Sequence, residues 1–439
     1  MPGKQSTISI LQAALDAVHP SRLIKEYVQF NDGLLKIEDH SIQLSDKQRI
    51  FVIGAGKASA AMAGALEKIL GNRIFKGLIT TKDQHKVPLD FINCLEAGHP
   101  MPDQRSIAAV KQTLDLLKEV KEDDIVFCLL SGGASSLWTD IPPMLKQEDV
   151  FQIFELLLTC GCDIEENNSV RKHLSGIKGG QLLQYAPAAK WYSLILSDVP
   201  GDDLSVIASG PTTGDQSSFA DALLVLEKYD LTKQISPEIL AYFENGLRGL
   251  LPETVKENNP ILKINHNIII GNNQKALMAA EAKAEALNYH VQRFGKPLKG
   301  DAGEFATALM RYCKNYSSPL PLCILAGGET TVQVTGKGTG GRNQHLALAA
   351  LLEMKARSNT DTTSICFLAA GTDGTDGPTD AAGAIADVHI IAMSVQKGLD
   401  PLQYYENFDA YSFFKQTDGL LKTGPTLTNV MDIIIVLIE

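Results

Sequence analysis

The chain has 439 residues, with 40 lysines and arginines against 51 aspartates and glutamates, so its formal net charge is −11 at pH 7. A composition of 44% hydrophobic and 21% charged residues is that of a globular chain and excludes disorder as the main state. The acidic excess also excludes a broad grip on nucleic-acid phosphates, which requires clustered basic residues.

The sequence also predicts a cytoplasmic protein. Charged residues interrupt the first thirty positions, which lack the apolar core of a signal peptide. No apolar run approaches the ~18 residues of a membrane span. Seven cysteines without a Cys-x-x-Cys pair indicate buried, reduced thiols. We therefore expect no membrane and no nucleic-acid partner.

Short β-branched runs alternate with helical patterns along the first half of the chain. The predicted strands are 49–53, 77–81, 91–94, 124–130 and 191–196. The predicted helices are 57–70, a helix from 106, 149–158, 219–229 and 237–245. Residues 249–263 then carry two prolines, two adjacent asparagines and little periodicity, which is typical of a domain boundary.

The alternation of predicted strands and helices resumes after this boundary. The predicted strands are 267–270, 290–294, 322–326, 331–334, 365–369 and 432–438, and the predicted helices are 274–287, 304–312 and 343–355. This alternation predicts an α/β fold with two α/β/α layered, Rossmann-like domains, residues 1–255 and 256–439, built on mostly parallel sheets. The sequence leaves open which domain the N-terminal helix packs against.

Ligands of such folds bind at the carboxyl ends of strands, so the loops after strands are the first candidates. Two glycine-rich loops stand there, Gly-Ala-Gly-Lys-Ala-Ser at 54–59 and Ser-Gly-Gly-Ala-Ser-Ser at 131–136. Glycines let backbone N–H groups approach an anion, and Lys57 adds a point charge, although tight structural turns use the same residues. The first loop is not a Walker A motif, because Phe51 and Ala58 replace its glycine and its Ser/Thr.

A third loop, 336–343, ends in Gly340-Gly341-Arg342-Asn343, where the arginine could grip an anion at a helix start. A loop at 371–380 brings several carboxylates together and suits Mg²⁺, and the acidic turn 197–203 competes for that role. The candidate metal ligands are Asp198, Asp373 and Asp376.

One basic cluster interrupts the acidic chain. On a helix, Asn167, Arg171, Ser175 and Lys178 would share one face and form an anion site, the alternative being a solvated basic surface. The substrate-binding candidates are Arg171, His173 and Asn343. The phosphate-binding candidates are Gly54, Gly56, Ser131, Gly132, Gly133, Ser135, Lys178, Gly340 and Gly341.

Three classes of function are consistent with these residues and loops. The first is phosphoryl transfer, with glycine loops for nucleotide phosphates, basic residues for developing charge and aspartates for Mg²⁺. The second is a nicotinamide-dependent oxidoreductase, because residues 336–341 match the Gly-x-Gly-x-x-Gly pattern. The loop at 54–59 matches half of this pattern, with Ser59 in place of the third glycine, and the strand after it ends in Lys82-Asp83 instead of the single acid that would bind a ribose. After the match at 336–341, Asp361 has the right spacing for ribose recognition but lies before a strand and not at its end. The third is a non-catalytic binding module.

Taken together and in order, these motifs resemble the type II glycerate kinases. The resemblance covers 54–59, 131–136, 167–180, 197–203, 328–332, 340–344 and 371–380, nearly the whole chain. Members of this family carry a C-terminal domain called MOFRL.

The resemblance implies ATP-dependent phosphorylation of (R)-glycerate with Mg²⁺, usually at the 2-hydroxyl, giving 2-phosphoglycerate and ADP and feeding glycerate into glycolysis. The sequence itself does not distinguish phosphorylation of the 2-hydroxyl from that of the 3-hydroxyl. It places the active site in a cleft between the two domains, with Lys57 and Arg342 as catalytic residues. Many members have also been named hydroxypyruvate reductases, so an NAD(P)H-dependent reductase is the alternative. The expected ligands are glycerate and ATP, and we also expect a homodimer.

Overall fold

The computed structural model describes residues 2–296, 298–316, 318–356 and 364–439. The chain divides into two compact units. We call residues 23–270 the N-terminal unit, and residues 271–439 together with the first 22 residues the C-terminal unit.

Each predicted helix, and each predicted strand except 331–334, has a counterpart in the structure, which also has strands between residues 28 and 43 and strands and helices between residues 383 and 421 that the sequence did not predict. The helices are α1 Pro2–Ala17, α2 Pro20–Tyr27, α3 Ser59–Leu70, α4 Gln104–Leu117, α5 Ala134–Leu137, α6 Gln147–Thr159, α7 Ile164–His173, α8 Phe219–Lys228, α9 Pro237–Leu247, α10 Asn273–Ala286, α11 Ala302–Lys314, α12 Arg342–Lys355, α13 Val388–Gln396, α14 Pro401–Glu406 and α15 Ala410–Thr417. The strands are β1 Val28–Asn31, β2 Leu34–Ile37, β3 His40–Gln43, β4 Ile50–Ala55, β5 Ile74–Lys82, β6 Ile92–Ala97, β7 Ile125–Ser131, β8 Lys190–Leu196, β9 Asn265–Gly271, β10 His290–Arg293, β11 Leu322–Gly328, β12 Ile365–Gly371, β13 Gly383–Asp387, β14 Leu420–Leu421 and β15 Asp432–Ile438.

The N-terminal unit is built on a six-stranded sheet of order β6-β5-β4-β7-β8-β9, accompanied by the small antiparallel meander β1-β2-β3. The pairs from β6 through β8 are all parallel, as predicted. This is the strand order of doubly wound dinucleotide-binding folds. Every residue of β4 and β7 is buried, so both faces of the sheet are covered at its centre. Such double burial explains why these strands are continuous apolar runs instead of alternating ones.

The C-terminal unit has a second six-stranded sheet, of order β10-β11-β15-β12-β13-β14. Only β10 and β11 pair in parallel; β15 lies antiparallel between β11 and β12, and β13 and β14 continue the sheet antiparallel. The prediction of mostly parallel sheets is therefore wrong for this unit. A buried central strand is a continuous apolar run whether it pairs in parallel or antiparallel, so hydropathy could not reveal the direction of these strands.

The predicted strand at 331–334 is also wrong. Only Thr331 forms an isolated bridge, to Asp301. The preceding strand β11 already has β10 on one side and β15 on the other, so no sheet edge is left for this segment beside it.

The break between the units falls after residue 270, whereas the sequence placed the boundary after residue 255. The intervening residues include β9, which completes the N-terminal sheet next to β8. The first helix belongs with the C-terminal unit: Thr7 Oγ1 lies 3.7 Å from Cys366 Sγ on β12, and Thr428 Oγ1 donates to the carbonyl oxygen of Val18 at 2.7 Å. The C-terminal unit is thus closed by the start of the chain.

Within the described residues, no helix is both long and apolar enough to cross a bilayer. No disulfide forms among the seven cysteines, five of which are buried and two of which, Cys160 and Cys162, are half-buried.

Candidate active site

The carboxyl ends of β4 and β7 mark the point where the strand order of the N-terminal sheet reverses. From β4 the sheet continues through β5 and β6 on one side and through β7, β8 and β9 on the other. Parallel α/β sheets bind ligands at this switch point, in the crevice outside the strand ends. The first residues after the two strands are 56–58 and 132–133, which we call the switch-point loops. The structure thus brings the first two predicted glycine-rich loops together.

Hydrogen bonds tie the switch-point loops to each other. The N–H of Lys57 donates to the carbonyl oxygen of Gly132 at 2.9 Å, and the N–H of Ala58 donates to Ser131 Oγ at 3.0 Å. Ser131 Oγ also lies 3.2 Å from Ser59 Oγ, and Ser131 is fully buried. Ser131 was predicted to bind phosphate; in the structure its hydroxyl holds the two loops in register.

Gly56 is what lets the two loops approach so closely. Its φ is +137°, and a Cβ there would lie 2.1 Å from Ser131 Oγ and 2.5 Å from the Ser131 carbonyl oxygen. Gly56→Ala is therefore expected to lower the free energy of unfolding by roughly 3 kcal/mol, from backbone strain and crowding combined. Urea denaturation measures this loss. Gly71→Ala is the matched control, since Gly71 also has a positive φ but nothing within 4 Å of a Cβ; equal losses in the two variants would contradict the crowding argument.

The side chain of Lys57 also lies near the loop that follows β6, which the sequence did not place at the site. A Cβ at Gly133 would lie 3.5 Å from Lys57 Cγ and 2.8 Å from the ring of His99, which follows β6. The carbonyl oxygen of Lys57 lies 3.1 Å from Nδ1 of His85. His99 is therefore a neighbour of the predicted catalytic lysine. Its only sequence signal is a Gly-His-Pro turn directly after a strand.

Helix α7 carries three polar side chains on one face, each with a buried atom that lacks a hydrogen-bond partner among the described residues. The atoms are Asn167 Oδ1, Asn168 Nδ2 and Arg171 Nε. Arg171 Nη2 donates to the carbonyl oxygen of Ser135 at 3.2 Å, and its guanidinium lies 4.7 Å from the centre of the Phe154 ring. Burial lowers the pKa of Arg171 to about 10. A guanidinium with no carboxylate partner in the described part of the chain is suited to bind an anion.

The predicted shared face of 167, 171, 175 and 178 is wrong for its last two members, because α7 ends at His173. Ser175 Oγ instead donates to Asp140 Oδ1 at 2.5 Å. Lys178 is buried, and its Nζ donates to the carbonyl oxygen of Trp138 at 2.6 Å. Burial lowers the pKa of Lys178 to about 7. In this structure Lys178 supports the C-terminal end of α5.

His173, predicted to bind substrate, has both ring nitrogens next to oxygen atoms of its own unit. Nδ1 lies 2.7 Å from the carbonyl oxygen of Ser169, and Nε2 lies 3.0 Å from Glu253 Oε2. The ring also packs edge-on against Phe219, with centroids 4.6 Å apart. These contacts describe a histidine that supports α7.

In the C-terminal unit, Arg342 is the first residue of α12 and is bound by two carboxylates. Its Nε and Nη2 donate to the two carboxylate oxygens of Asp432 at 2.6 and 2.9 Å, and Nη1 lies 2.8 Å from Glu329 Oε1. Asp432 is fully buried at the start of β15. Burial alone would lower the pKa of Arg342, but the hydrogen bonds and charge of Asp432, with the charge of Glu329, raise it above its ordinary value.

The start of α12, predicted to hold an anion, is occupied by the chain's own Asp376. The two carboxylate oxygens of Asp376 accept hydrogen bonds from the N–H groups of Asn343 at 3.1 Å and Gln344 at 2.8 Å. Gly341 permits this approach, because a Cβ there would lie 2.2 Å from Asp376 Cγ. Asn343, a predicted substrate ligand, is buried, and its Oδ1 lacks a partner among the described residues. Asp376 therefore caps α12.

The cap makes stability depend on pH in a definite direction. Burial raises the pKa of Asp376 from 3.8 to about 6, against the opposing N–H groups of Gln344 and Asn343. The folded state therefore binds the proton more tightly than the unfolded state, and this contribution to stability is present below about pH 4 and is lost as pH rises through about 6. In the wild type this lowers the free energy of unfolding by on the order of 3 kcal/mol between pH 4 and 7, and the variant Asp376→Asn should not show this decrease. Urea unfolding of both proteins from pH 4 to 7 measures it; parallel curves would contradict the assignment.

The glycines of loop 336–341 serve the loop's own packing. A Cβ at Gly336 would lie 2.2 Å from the carbonyl oxygen of Asn407, and one at Gly338 would lie 2.4 Å from Asp409 Cβ. The loop enters α12 without a strand before it, since β11 ends at Gly328. The strand–loop–helix context that a dinucleotide fingerprint requires is therefore missing here.

The other two residues considered for ribose recognition lend the reductase alternative no support. Asp83, next to the end of β5, makes a two-point ion pair with Arg105, with Oδ1 2.6 Å from Nη1 and Oδ2 2.9 Å from Nη2. Asp361 lies outside the described residues.

The predicted metal ligands are divided between the two units: Asp198 belongs to the N-terminal unit, and Asp373 and Asp376 belong to the C-terminal unit. Among residues 2–296, 298–316, 318–356 and 364–439, no three His, Cys, Asp or Glu side chains are grouped as a metal site. Asp198 is half-buried just after β8, whereas Asp373 accepts two 3.0 Å hydrogen bonds from Thr375 at one oxygen. Asp376 has both oxygens engaged at the α12 start, so its donor set fits a metal poorly. Asp198 lies just after β8, at the carboxyl edge of the N-terminal sheet, where one carboxylate together with waters and substrate phosphates could hold Mg²⁺.

Comparison with protein families finds two matches. Residues 6–244 match the model described as a domain of unknown function, DUF4147, and residues 322–432 match the MOFRL family. The chain is 38% identical to the D-glycerate 2-kinase of Thermotoga maritima over 99% of this chain and 98% of that protein. It is 37% identical to the glycerate 2-kinase of Pyrococcus horikoshii, over 98% and 96% of the two chains.

Solved structures agree with this similarity. The crystal structure of a glycerate kinase from Thermotoga maritima superposes with a TM-score of 0.83 at 37% identity, covering 99% of both chains. A crystal structure of a Pyrococcus horikoshii protein superposes with a TM-score of 0.80 at 36% identity, covering 99% of this chain and 98% of that one.

Proposed function

Because the chain belongs to the type II glycerate kinase family, we propose that it transfers the γ-phosphoryl group of ATP to the 2-hydroxyl of (R)-glycerate. The products are 2-phosphoglycerate and ADP. The observation that carries this proposal is the position of Lys57 at the switch point of the N-terminal sheet, against Gly133 and beside the interlocked loops. A lysine at this point meets the phosphates of a ligand bound in the crevice.

Catalysis of phosphoryl transfer is mainly positioning and charge stabilisation. In the proposed mechanism the backbone N–H groups near Gly132 and Gly133 orient the nucleotide phosphates, and Lys57 stabilises the charge on the transferring group. Because the loops are already held in register by Ser131, these donors need little reorganisation when the reaction proceeds.

Arg342 is proposed as the second cation that stabilises the transferring group. Asp432 fixes its Nε and Nη2 from a buried position, while Nη1 is held by Glu329, whose side chain is 43% exposed. The Glu329 contact is the one that a phosphoryl oxygen could replace, because an exposed ion pair contributes little stability. The guanidinium would remain oriented by Asp432 during that exchange.

We propose that Mg²⁺ accompanies ATP and that Asp198 is the protein carboxylate that holds it. When bound, the ion neutralises phosphate charge. The cytoplasmic location and the homodimer stay predictions from the sequence.

A coupled assay tests the proposal against the reductase alternative. We expect ADP release that requires glycerate and Mg²⁺. The product should be 2-phosphoglycerate, identified because enolase dehydrates it to phosphoenolpyruvate, which mass spectrometry detects. Consumption of NADH or NADPH with hydroxypyruvate and no ATP would replace the kinase with the reductase. Glycerate binding without either turnover would favour a binding module.

A further inference from the structure

The polar face of α7 contains three buried atoms that have no hydrogen-bond partner among the described residues, and their chemistry is complementary to one kind of ligand. Positions 167, 168 and 171 fall within about 100° of the helix circumference, so the side chains are neighbours. Asn167 and Asn168 are only 8% and 5% exposed. A buried polar atom without a partner costs roughly 1–3 kcal/mol, so three of them on one helix face call for an explanation.

A hydrogen-bonded chain fixes which atom of the Asn168 amide remains unsatisfied. Ser209 Oγ donates to Asn168 Oδ1 at 2.9 Å and lies 2.9 Å from Ser135 Oγ. With its oxygen engaged, Asn168 leaves Nδ2 as a donor beside the donor Nε of Arg171. Ser209 is fully buried and holds a φ of +58°, an unfavourable backbone for serine. Such strain concentrates at functional sites.

The location matches the carboxyl edge of the sheet. Arg171 contacts the carbonyl oxygen of Ser135 on α5, which follows β7, while Ser209 follows β8. The α7 face therefore lies against segments that leave two adjacent parallel strands. Asn168 also lines a cavity of about 300 Å³ together with Lys172 and Ser205.

Two donors and one acceptor on a single face match a hydroxy acid. We propose that this face of α7 binds a small 2-hydroxy acid, with Arg171 Nε and Asn168 Nδ2 donating to its carboxylate and Asn167 Oδ1 accepting from the adjacent hydroxyl. The inference rests on the proposed function, in which glycerate is that acid. Asn168 and Asn167 are then specificity residues, and Ser209 is a positioning residue that acts through Asn168.

The test combines binding and kinetics on the full chain. Asn168→Asp replaces the donor with a carboxylate of the same size, and a lost hydrogen bond to a charged group predicts a Kd for D-glycerate at least about 10-fold higher by calorimetry without ATP. Glycerate KM should rise equally, with the KM for ATP unchanged. Asn245→Asp on α9 makes the same chemical change away from this face and should leave both constants at wild-type values.

Two further variants keep the proposal falsifiable if Asn168→Asp fails to fold. Arg171→Lys retains the charge but loses Nε, and should raise the glycerate Kd by a similar factor. Ser209→Ala frees the Asn168 amide and should raise glycerate KM severalfold with kcat unchanged, a split that a purely structural role would not produce. Values of Kd within twofold of wild type in Asn168→Asp and Arg171→Lys would overturn the proposal and leave ordered water as the partner of these atoms.

Failure of the proposed kinase activity can be distinguished from failure of the proposed hydroxy-acid site. If the wild-type chain does not phosphorylate glycerate, titration with D-glycerate, lactate and the neutral glycerol still decides the site. Binding of either acid, but not of glycerol, that Asn168→Asp loses would support the hydroxy-acid site. No binding of either acid to the wild type would overturn it.

Discussion

Lys57→Ala is expected to lower kcat for glycerate phosphorylation by at least ~100-fold, because it removes the cation at the switch point that stabilises the transferring phosphoryl group. The protein should stay folded. The backbone N–H of Lys57 binds the carbonyl oxygen of Gly132, its carbonyl oxygen lies next to His85, and alanine keeps both of these backbone groups. Since the lost interaction is strongest in the transition state, kcat should fall more than the KM for ATP rises.

Steady-state kinetics with a coupled ADP assay, alongside thermal unfolding, measures this effect. Lys76→Ala is the matched control: Lys76 lies on β5 of the same sheet, is 48% exposed and pairs with Glu119. Its removal should leave turnover at the wild-type level. Near-normal kcat in a folded Lys57→Ala variant would remove Lys57 from the catalytic machinery.

Arg342→Ala is expected to reduce both stability and turnover, and the structure shows how to separate the two. The substitution leaves Asp432 buried without its two-point partner. Removing one member of a buried ion pair typically costs about 3–5 kcal/mol. An inactive Arg342→Ala protein could therefore be merely unfolded, so kcat has to be measured together with urea denaturation.

The double variant Arg342→Ala/Asp432→Asn removes the uncompensated charge as well. We expect it to recover much of the stability lost in Arg342→Ala, because a neutral amide is cheaper to bury than a carboxylate. Turnover should stay at least ~100-fold below wild type if the guanidinium stabilises the transferring group. Recovery of both stability and kcat in the double variant would show that Arg342 is structural only.

Local sequence patterns were sufficient for the central strands of both sheets and for the glycine-rich loops that follow β4 and β7. The apolar runs at 49–53 and 124–130 predicted β4 and β7 because centrally buried parallel strands exclude polar residues. The glycine-rich loops after them were found for the same local reason: a chain that turns sharply at a strand end needs glycine. Their meeting at one switch point followed from the fold class.

The sequence did not show which group a polar side chain contacts when that group lies far away along the chain. Asp376 resembled a metal ligand in a loop of aspartates, but it accepts hydrogen bonds from the start of α12, more than thirty residues earlier. The predicted anion grip of Arg342 is taken up by Asp432, ninety residues later. A carboxylate looks the same in sequence whether it binds a metal, caps a helix or pairs with an arginine.

By itself the sequence determined the alternation of helices and strands, the two α/β sheets and the loops that carry Lys57 and Arg342, because each depends on hydropathy period and turn chemistry within a few residues. Only the tertiary structure decided that β15 runs antiparallel, that the first helix closes the C-terminal unit and that α7 stops at His173. It also decided that Asn168 Nδ2 has no hydrogen-bond partner in the part of the chain that is described. These outcomes depend on contacts between distant segments, whose pairing free energy no local pattern records.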